Sequence, residues 1–411
     1  MKVWAFAALA AAFSLTAAAQ SAEQDGNWKF GWDGTLYGYA TAMRLQPDSV
    51  LNPGNQIARM ADQSATAELR LNLKAENEVV RLTARPILLA RIAHVPHATT
   101  DHDSDSDVYL SQWQLRVRAA EAWNVAIGRD VLNWGPAQFR SPSSPYYFDN
   151  GRSDPMRELS GMDSVKLSWT PNRQSTVTMA YVAASGHDAP DDDIWENSWL
   201  LKFDQRGDDW AYGLIAADAP DQPTFYGAFG QYTISDAVML YGEVGSSSVS
   251  PNLQSSTDPA QTFSVKEYSA RKTAALIGAS YTFEDGKSLA AEYLHDSHGY
   301  TPDEEDAYYR RAAASPASAG LALGLQPRLL GRDYLHLVWQ SNVMDERGFW
   351  RLMYTHSFTD HGDELSGYAE TVLSRQVTAF VTAAIAQGDA RQEFSSLYEN
   401  SITLGLKFAL P

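Results

Sequence analysis

Apolar and polar residues alternate along most of the chain, which is the pattern of strands that are apolar on one face and polar on the other. In residues 68–76, for example, Leu69, Leu71 and Leu73 alternate with Arg70 and Lys74. The alternation predicts strands at 29–43, 65–77, 79–93, 107–119, 123–130, 163–170, 175–184, 197–205, 209–218, 222–235, 237–247, 273–283, 288–295, 333–343, 349–358, 366–373, 377–386 and 401–410. These are about eighteen strands, an even number, as in single-chain bacterial barrels.

Short and long connections between the predicted strands alternate as well. The short connections are 77–78, 120–122, 171–174, 206–208, 236, 284–287, 345–348 and 374–376. The others are mostly long, except for 219–221, and one of them holds a short predicted helix within 302–324. Short periplasmic turns and long external loops are typical of outer-membrane barrels, so we expect both termini in the periplasm. The sequence therefore predicts an all-β fold, a transmembrane antiparallel barrel in the outer membrane of a Gram-negative bacterium, in contact with lipid and lipopolysaccharide.

The N-terminal end of the chain resembles an export signal, and the C-terminal end resembles an assembly signal. Lys2 precedes an uncharged, mostly apolar run over residues 3–16, and Ala17-Ala18-Ala19 fits a cleavage site. We expect a signal peptide at 1–19 and a barrel domain at 20–411, because a membrane-spanning helix would need about 20 apolar residues. The last strand, Thr403 to Leu410, resembles the signal that the barrel-assembly machinery reads, although Pro411 follows it.

Composition excludes several classes of protein. Among 411 residues, 50 acidic against 32 basic side chains give a net charge of −18, which disfavours nucleic-acid binding. The absence of cysteine excludes disulfide scaffolds, thiolate metal sites and cysteine nucleophiles. No catalytic motif is present, so we expect neither an enzyme nor a cofactor. A soluble secreted β-protein remains an alternative.

Basic residues are concentrated on the polar faces of three consecutive predicted strands. They are Arg70, Lys74, Arg81, Arg85, Arg91, Arg116 and Arg118. The opposite register would put arginines in hydrocarbon, at roughly 2–4 kcal/mol each near the midplane. We therefore expect a basic wall inside the barrel, where such residues select anions. The alternative is a solvated face whose cations pair with Glu68 and Glu76.

The connection 131–162 contains more apolar and aromatic residues than a solvated loop needs, among them Val131, Leu132, Phe139 and Tyr146. We expect it to fold into the lumen and narrow the pore, and its aromatic rings would then stack on sugars. The alternative is an external lid packed on itself. The candidate constriction residues are Arg129, Asp130, Trp134, Gly135, Pro136, Arg140 and Arg152.

Three short motifs in this region suggest a family: Gly128-Arg129-Asp130, Trp134-Gly135-Pro136 and Asn150-Gly151-Arg152. They resemble exopolysaccharide-related outer-membrane barrels of the alginate-export and Wzi capsule-assembly types. The resemblance implies a channel for export or surface assembly of an anionic exopolysaccharide. Similar stretches occur in porins, so a diffusion porin for small solutes is one alternative, and a non-conducting surface lectin is another.

An acidic repeat precedes the fourth strand. Asp101, Asp103 and Asp105 alternate with other residues, near His94 and His102, and such oxygen-rich loops can hold calcium. The EF-hand pattern fails here, so we expect a solvated acidic loop and no metal.

Overall fold

The computed structural model describes residues 28–96, 102–186, 195–220, 223–247, 252–258, 261–266 and 271–410. The predicted signal peptide, at residues 1–19, lies outside the described residues. The first ten strands are β1 Lys29–Leu45, β2 Gln63–Glu76, β3 Val80–His94, β4 His102–Ala120, β5 Trp123–Asp130, β6 Met162–Trp169, β7 Ser175–Ala184, β8 Ser198–Arg206, β9 Trp210–Asp218 and β10 Phe225–Thr233. The others are β11 Val238–Ser247, β12 Asn252–Gln254, β13 Ser264–Lys266, β14 Lys272–Thr282, β15 Ser288–Asp296, β16 Asp333–Gln340, β17 Gly348–Ser357, β18 Asp363–Val372, β19 Val377–Gln387 and β20 Tyr398–Leu410.

Eighteen of these strands form one closed antiparallel barrel. Each barrel strand pairs with the next one along the chain, β11 pairs with β14, and β1 pairs with both β2 and β20. Strands β12 and β13 form a separate small hairpin. The predicted all-β barrel with eighteen strands is confirmed, and closure leaves no unpaired edge.

The two faces of the barrel wall differ in chemistry. Outward-facing residues are large, apolar and unburied, as shown by Ile277 at 68 % and Leu404 at 58 % exposure. Aromatic residues form pairs at both ends of this outer belt, with Trp123 stacked on Trp169 at one end and Tyr181 against Trp199 at the other. Such an apolar surface is unfavourable in water but suits the interior of a bilayer, and its aromatic residues would lie at the two membrane–water interfaces.

The two ends of the barrel also differ. One end, the short-turn end, carries brief connections, and both β1 begins and β20 ends there. The other end, the long-loop end, carries the hairpin β12–β13 and two helices, α1 Pro302–Ala312 and α2 Pro316–Gly324. Thr301 and Glu304 form a capping box at the start of α1, which confirms the helix predicted within 302–324. Among the described residues, no helix has the length and apolar character needed to cross a membrane.

One predicted loop is a strand instead. Strand β4 begins at His102, so Asp103 and Asp105 pair with β3 and do not belong to a loop. The β4 ladder also contains a bulge, since Arg85 lies opposite Gln112 and Pro86 lies opposite Leu110, which leaves Ser111 unpaired. A bulge reverses the alternation of faces. Tyr109 is therefore on the inward face, whereas unbroken alternation from Trp113 would place it on the outward face.

Candidate functional site

The basic wall lies on the inner face of the barrel. Leu82 pairs with Leu115 on the outward face, so their neighbours Arg81 and Arg116, which also pair, point into the lumen. The same alternation along β2, β3 and β4 directs Arg70, Lys74, Arg85, Arg91 and Arg118 inward.

Carboxylates neutralise part of this wall. Arg70 is bound to Glu68 at 2.7 Å, and Lys74 and Arg81 share Glu76 at 2.6 and 3.4 Å. The predicted basic wall and the alternative of local ion pairs therefore each apply to some of these residues.

Two cations of the wall without a salt bridge lie towards the short-turn end. Within the described residues, neither Arg116 nor Arg118 forms a salt bridge. Arg91, nearer the long-loop end, lies opposite Asp105 in the ladder. Arg91 forms no salt bridge among the described residues either, so the unpaired cations of the wall are Arg91, Arg116 and Arg118.

Residues 131–161, which we call the inward segment, cross the lumen and bind the opposite wall. Glu243 of β11 accepts hydrogen bonds from the Ala137 amide at 2.9 Å and from the hydroxyls of Ser141 and Ser143 at 2.6 Å. Glu292 of β15 accepts from the amides of Gln138 and Phe139 at 2.6 and 2.8 Å. These buried carboxylates satisfy backbone donors that have no strand partner.

The inward segment also binds the basic wall. Glu158 lies 2.8 Å from the Arg85 guanidinium and 3.6 Å from that of Arg70. Arg70 further donates to the Met156 carbonyl at 2.9 Å. On the opposite side, Arg351 of β17 donates to the Arg152 carbonyl at 2.7 Å. The segment is therefore fixed on several sides and divides the lumen.

Glycines make room where the inward segment touches the wall. A Cβ on Gly245 would lie 1.8 Å from the Pro142 carbonyl oxygen, and one on Gly227 would lie 2.5 Å from that of Ser143. Gly135 has φ +84°, and its Cβ would lie 2.2 Å from the Glu243 carboxylate. The close approach to Glu243 thus explains the glycine of the Trp134-Gly135-Pro136 motif.

Most predicted constriction residues have structural contacts within the inward segment. Trp134 donates through Nε1 to the Ser143 carbonyl at 3.1 Å. The Arg140 guanidinium lies 4.4 Å from the Phe139 ring centroid. Arg152 donates to the Ala137 carbonyl at 2.7 Å, and the Pro136 carbonyl accepts from the Gln138 side chain. Asp130 points into the lumen and binds Lys166 and Gln114.

Arg129 is not a constriction residue. It pairs in the ladder with Trp113 and Asp163, on the outward face near the long-loop end. Its guanidinium makes two hydrogen bonds to the Asp163 carboxylate, at 2.9 and 2.8 Å. Strand alternation causes this placement, because Arg129 follows Ile127, which faces outward, by two residues.

The phenylalanine and tyrosine rings of the inward segment are not available to stack on a sugar, whereas Trp134 is half-buried and lines a cavity. Phe139, Tyr146, Tyr147 and Phe148 are all buried, at 4 % exposure or less. Tyr147 donates to the Ser160 carbonyl at 2.6 Å, and burial raises the pKa of Tyr146 to about 12. These rings form two apolar clusters that hold the segment in shape.

Cavities of small-molecule size remain around the inward segment. One of about 450 Å³ lies against the basic wall, lined by Lys74, Arg85 and Gln112 among others. A second of about 420 Å³ is lined by Arg140, Arg328 and His336. A third of about 300 Å³ includes Arg116, Lys166 and Lys202. A larger concavity of about 850 Å³ is lined mostly by apolar residues, among them Leu240, Val244 and Ile277 of the outer belt.

The described part of the acidic repeat lies on strand β4. Asp103 and Asp105 are exposed on the inward face of β4, and Asp101 lies outside the described residues. Across the ranges that the structure describes, no three His, Asp or Glu side chains are arranged to hold a metal ion.

Sequence reasoning missed Glu243, Glu292 and Arg351, which hold the inward segment from the far wall. A signal was present for the two carboxylates. Each is a single charged residue at an inward position of an otherwise uncharged strand, in Val238–Ser247 and in the part of β15 that precedes His295. A charge at such a position requires a partner, although the partner itself is not evident from the strand.

Solved structures share this architecture. Pseudomonas aeruginosa OccK5 (OpdH) aligns with a TM-score of 0.55 at 11% identity, over 92% of this chain and 98% of that chain. Pseudomonas aeruginosa OccK7 (OpdD) aligns with a TM-score of 0.53 at 12% identity, over 93% and 99%. Acinetobacter baumannii OccAB3 gives 0.53 at 10% identity, over 92% and 99%. At these identities the likeness shows the fold alone.

These neighbours are outer-membrane porins of the OccK/OprD type, and they do not support the predicted resemblance to alginate-export or Wzi-type barrels. No family model matches the sequence, and no curated protein matches it.

Proposed function

We propose that this chain is an outer-membrane diffusion channel for small solutes, with a preference for anions. The observation that carries the proposal is the inward segment, which is bound to Glu243, Glu292, Arg70 and Arg85 and leaves cavities of hundreds of Å³ around it. Cavities of that size accommodate small molecules. The porin-type fold neighbours favour the same function.

Export of a polysaccharide is less consistent with this geometry. A polysaccharide channel would need aromatic rings exposed along its path, whereas Tyr146, Tyr147 and Phe148 are buried. A surface lectin would need the same exposed rings. The structure of the inward segment therefore favours neither an exopolysaccharide channel nor a lectin.

The orientation belongs to the same proposal. The signal-peptide pattern, the apolar outer belt and the alternating connections support both termini on the periplasmic side, with α1 and α2 outside the cell. Strand β20 closes the barrel by pairing with β1 and β19, and we propose that its alternating face is what the assembly machinery recognises.

Anion preference arises from local charge and not from the net charge of −18. Exposed charges are screened beyond roughly 8–10 Å at physiological salt, so distant acidic loops contribute little inside the pore. Arg116 and Arg118 point into the lumen without a salt bridge among the described residues, so they remain available to attract anions.

The test is the reversal potential across a salt gradient in planar bilayers. The native channel should be anion-selective, and Arg116→Gln with Arg118→Gln should shift its selectivity towards cations. Lys287→Gln is the matched control, because Lys287 is an exposed cation that binds Asp285 in a short turn. A native channel that selects cations, together with a double variant that changes nothing, would contradict the anion preference.

A further inference from the structure

Three carboxyl groups from three different connections meet beneath α1 at the long-loop end. Glu305 belongs to α1, Asp360 to the connection between β17 and β18, and Glu393 to the connection between β19 and β20. Asp360 accepts the Glu393 backbone amide at 2.6 Å, which fixes the two connections together. We call these three residues the acidic cluster.

Within the acidic cluster Glu305 is buried, whereas Asp360 and Glu393 are half-buried, and no described residue forms a salt bridge with Glu305. Glu305 is 3 % exposed, and the polar side chain that its carboxyl group meets is another carboxyl group, that of Asp360. The charged groups that act on it are Asp360 and Glu393. The nearby Arg332 is already bound to Glu304 at 3.2 Å and to the Gly299 carbonyl. Four tyrosines also lie close to these carboxyl groups: Tyr300, Tyr308, Tyr309 and Tyr334.

Protonation is therefore the remaining way to neutralise the buried carboxyl group of Glu305. An ionised carboxylate without a partner is very costly to bury, so such a group stays protonated instead. Burial, with repulsion from Asp360 and Glu393, raises the pKa of Glu305 to about 10. Burial also raises the pKa of Glu393 to about 7, against hydrogen bonds from Tyr334 and from backbone amides.

Glu393 is connected directly to the lumen. Its carboxylate accepts from the Leu330 amide at 2.9 Å and from the Tyr334 hydroxyl at 2.5 Å. Leu329, the residue before Leu330, is buried in the apolar cluster that contains Phe139 and Phe148.

Arg328 completes this connection. Its guanidinium lies 4.4 Å from the Phe148 ring centroid. Arg328, Leu329 and Glu393 line the same cavity of about 420 Å³ beside the inward segment. The segment that Glu393 holds therefore forms part of the passage.

We propose that Glu305, Asp360 and Glu393 form a proton-dependent latch, which holds residues 328–330 against the inward segment at acid pH and releases them as the pH rises. The direction follows from the raised pKa values of Glu305 and Glu393. Relative to the released state, the closed latch is most stable below about pH 4.5, the ordinary pKa of glutamate. It becomes less stable as the pH rises from there to about 7, the pKa of Glu393 in the closed state. For each proton lost, the closed-to-released ratio falls by about tenfold per pH unit between those values.

The experiment records single-channel current of the full chain at about pH 5 and about pH 8, which lie on either side of the ionisation of Glu393. The native channel should show long low-conductance dwells at acid pH and at least about a tenfold loss of them at the higher pH. The double variant Glu305→Gln with Glu393→Gln should keep the acid-pH behaviour at both values. The control Asp303→Asn removes an exposed carboxylate from the same helix and should titrate like the native channel.

A second readout does not depend on conduction. The protection factor of the Leu330 amide, corrected for intrinsic exchange, should fall between the same two pH values in the native protein and not in the double variant. This readout separates the latch from the proposed channel function, on which only the current measurement rests. A native Leu330 amide that is equally protected at both pH values, or a double variant that titrates like the native protein, would overturn the latch.

Discussion

Glu292 and Phe139 are joined across the lumen by a hydrogen bond of 2.8 Å, from the Phe139 backbone amide to the Glu292 carboxylate. The two residues are 153 positions apart in the chain. Because the neighbouring carboxylate of Glu243 binds the same stretch, the inward segment has a fixed position and is not a free loop. Its attachment to the far wall is what divides the pore.

Loss of the Glu243 carboxylate should loosen the inward segment. In Glu243→Gln, an amide donor replaces an acceptor that faces the Ala137 amide and the hydroxyls of Ser141 and Ser143. Each buried donor left unpaired costs about 1–3 kcal/mol. We expect noisier single-channel current and higher mean conductance. Glu284→Gln, in an exposed short turn, is the control, and an equal effect of both variants would argue against the attachment.

Removal of most of the inward segment should widen the pore. Deletion of residues 136–156 takes away the contacts to Glu243 and Glu292 together with the aromatic rings that fill the lumen. Single-channel conductance should rise severalfold, because the remaining barrel wall encloses a single open lumen. Anomalous gel migration of the unheated variant verifies that the barrel still assembles. Unchanged conductance would show that the segment does not limit the current.

Alanine at Gly135 should destabilise the site locally. The backbone there has φ +84°, and a Cβ would lie 2.2 Å from the Glu243 carboxylate. A strained backbone of this kind costs about 1–3 kcal/mol before any clash. Gly135→Ala should therefore lower the temperature at which the folded gel band converts. Gly38→Ala is the matched control, since a Cβ at Gly38 meets nothing within 4 Å, and it should leave that temperature nearly unchanged.

Single cysteines can test the orientation, because the chain contains none. Asp303→Cys places a thiol at the start of α1 at the long-loop end, and Glu78→Cys places one in an exposed short turn. An impermeant maleimide added to intact cells should label the first variant only. Labelling of the second variant after cell lysis shows that its thiol is reactive. The reverse pattern would invert the proposed orientation.

Part of the site could be predicted from the sequence. The position of the basic wall follows from alternation, because Leu82 and Leu115 must avoid the lumen if Arg81 and Arg116 are to avoid lipid. The same rule would have placed Arg129 outward after Val125 and Ile127, but its position beside the Trp-Gly-Pro motif suggested a pore residue. The bulge at Ser111 was not predictable, since nothing in the local pattern marks an unpaired residue.

The sequence by itself determined the barrel, its two faces and the alternation of its ends, because period-two patterning acts between near neighbours and needs no knowledge of the fold. Only the tertiary structure decided which charges are neutralised and where residues 131–161 lie. Arg85 meets Glu158, and Phe139 meets Glu292, because the closed barrel brings distant strands around one lumen. A buried charge requires a partner, but closure of the chain in three dimensions selects which partner it meets.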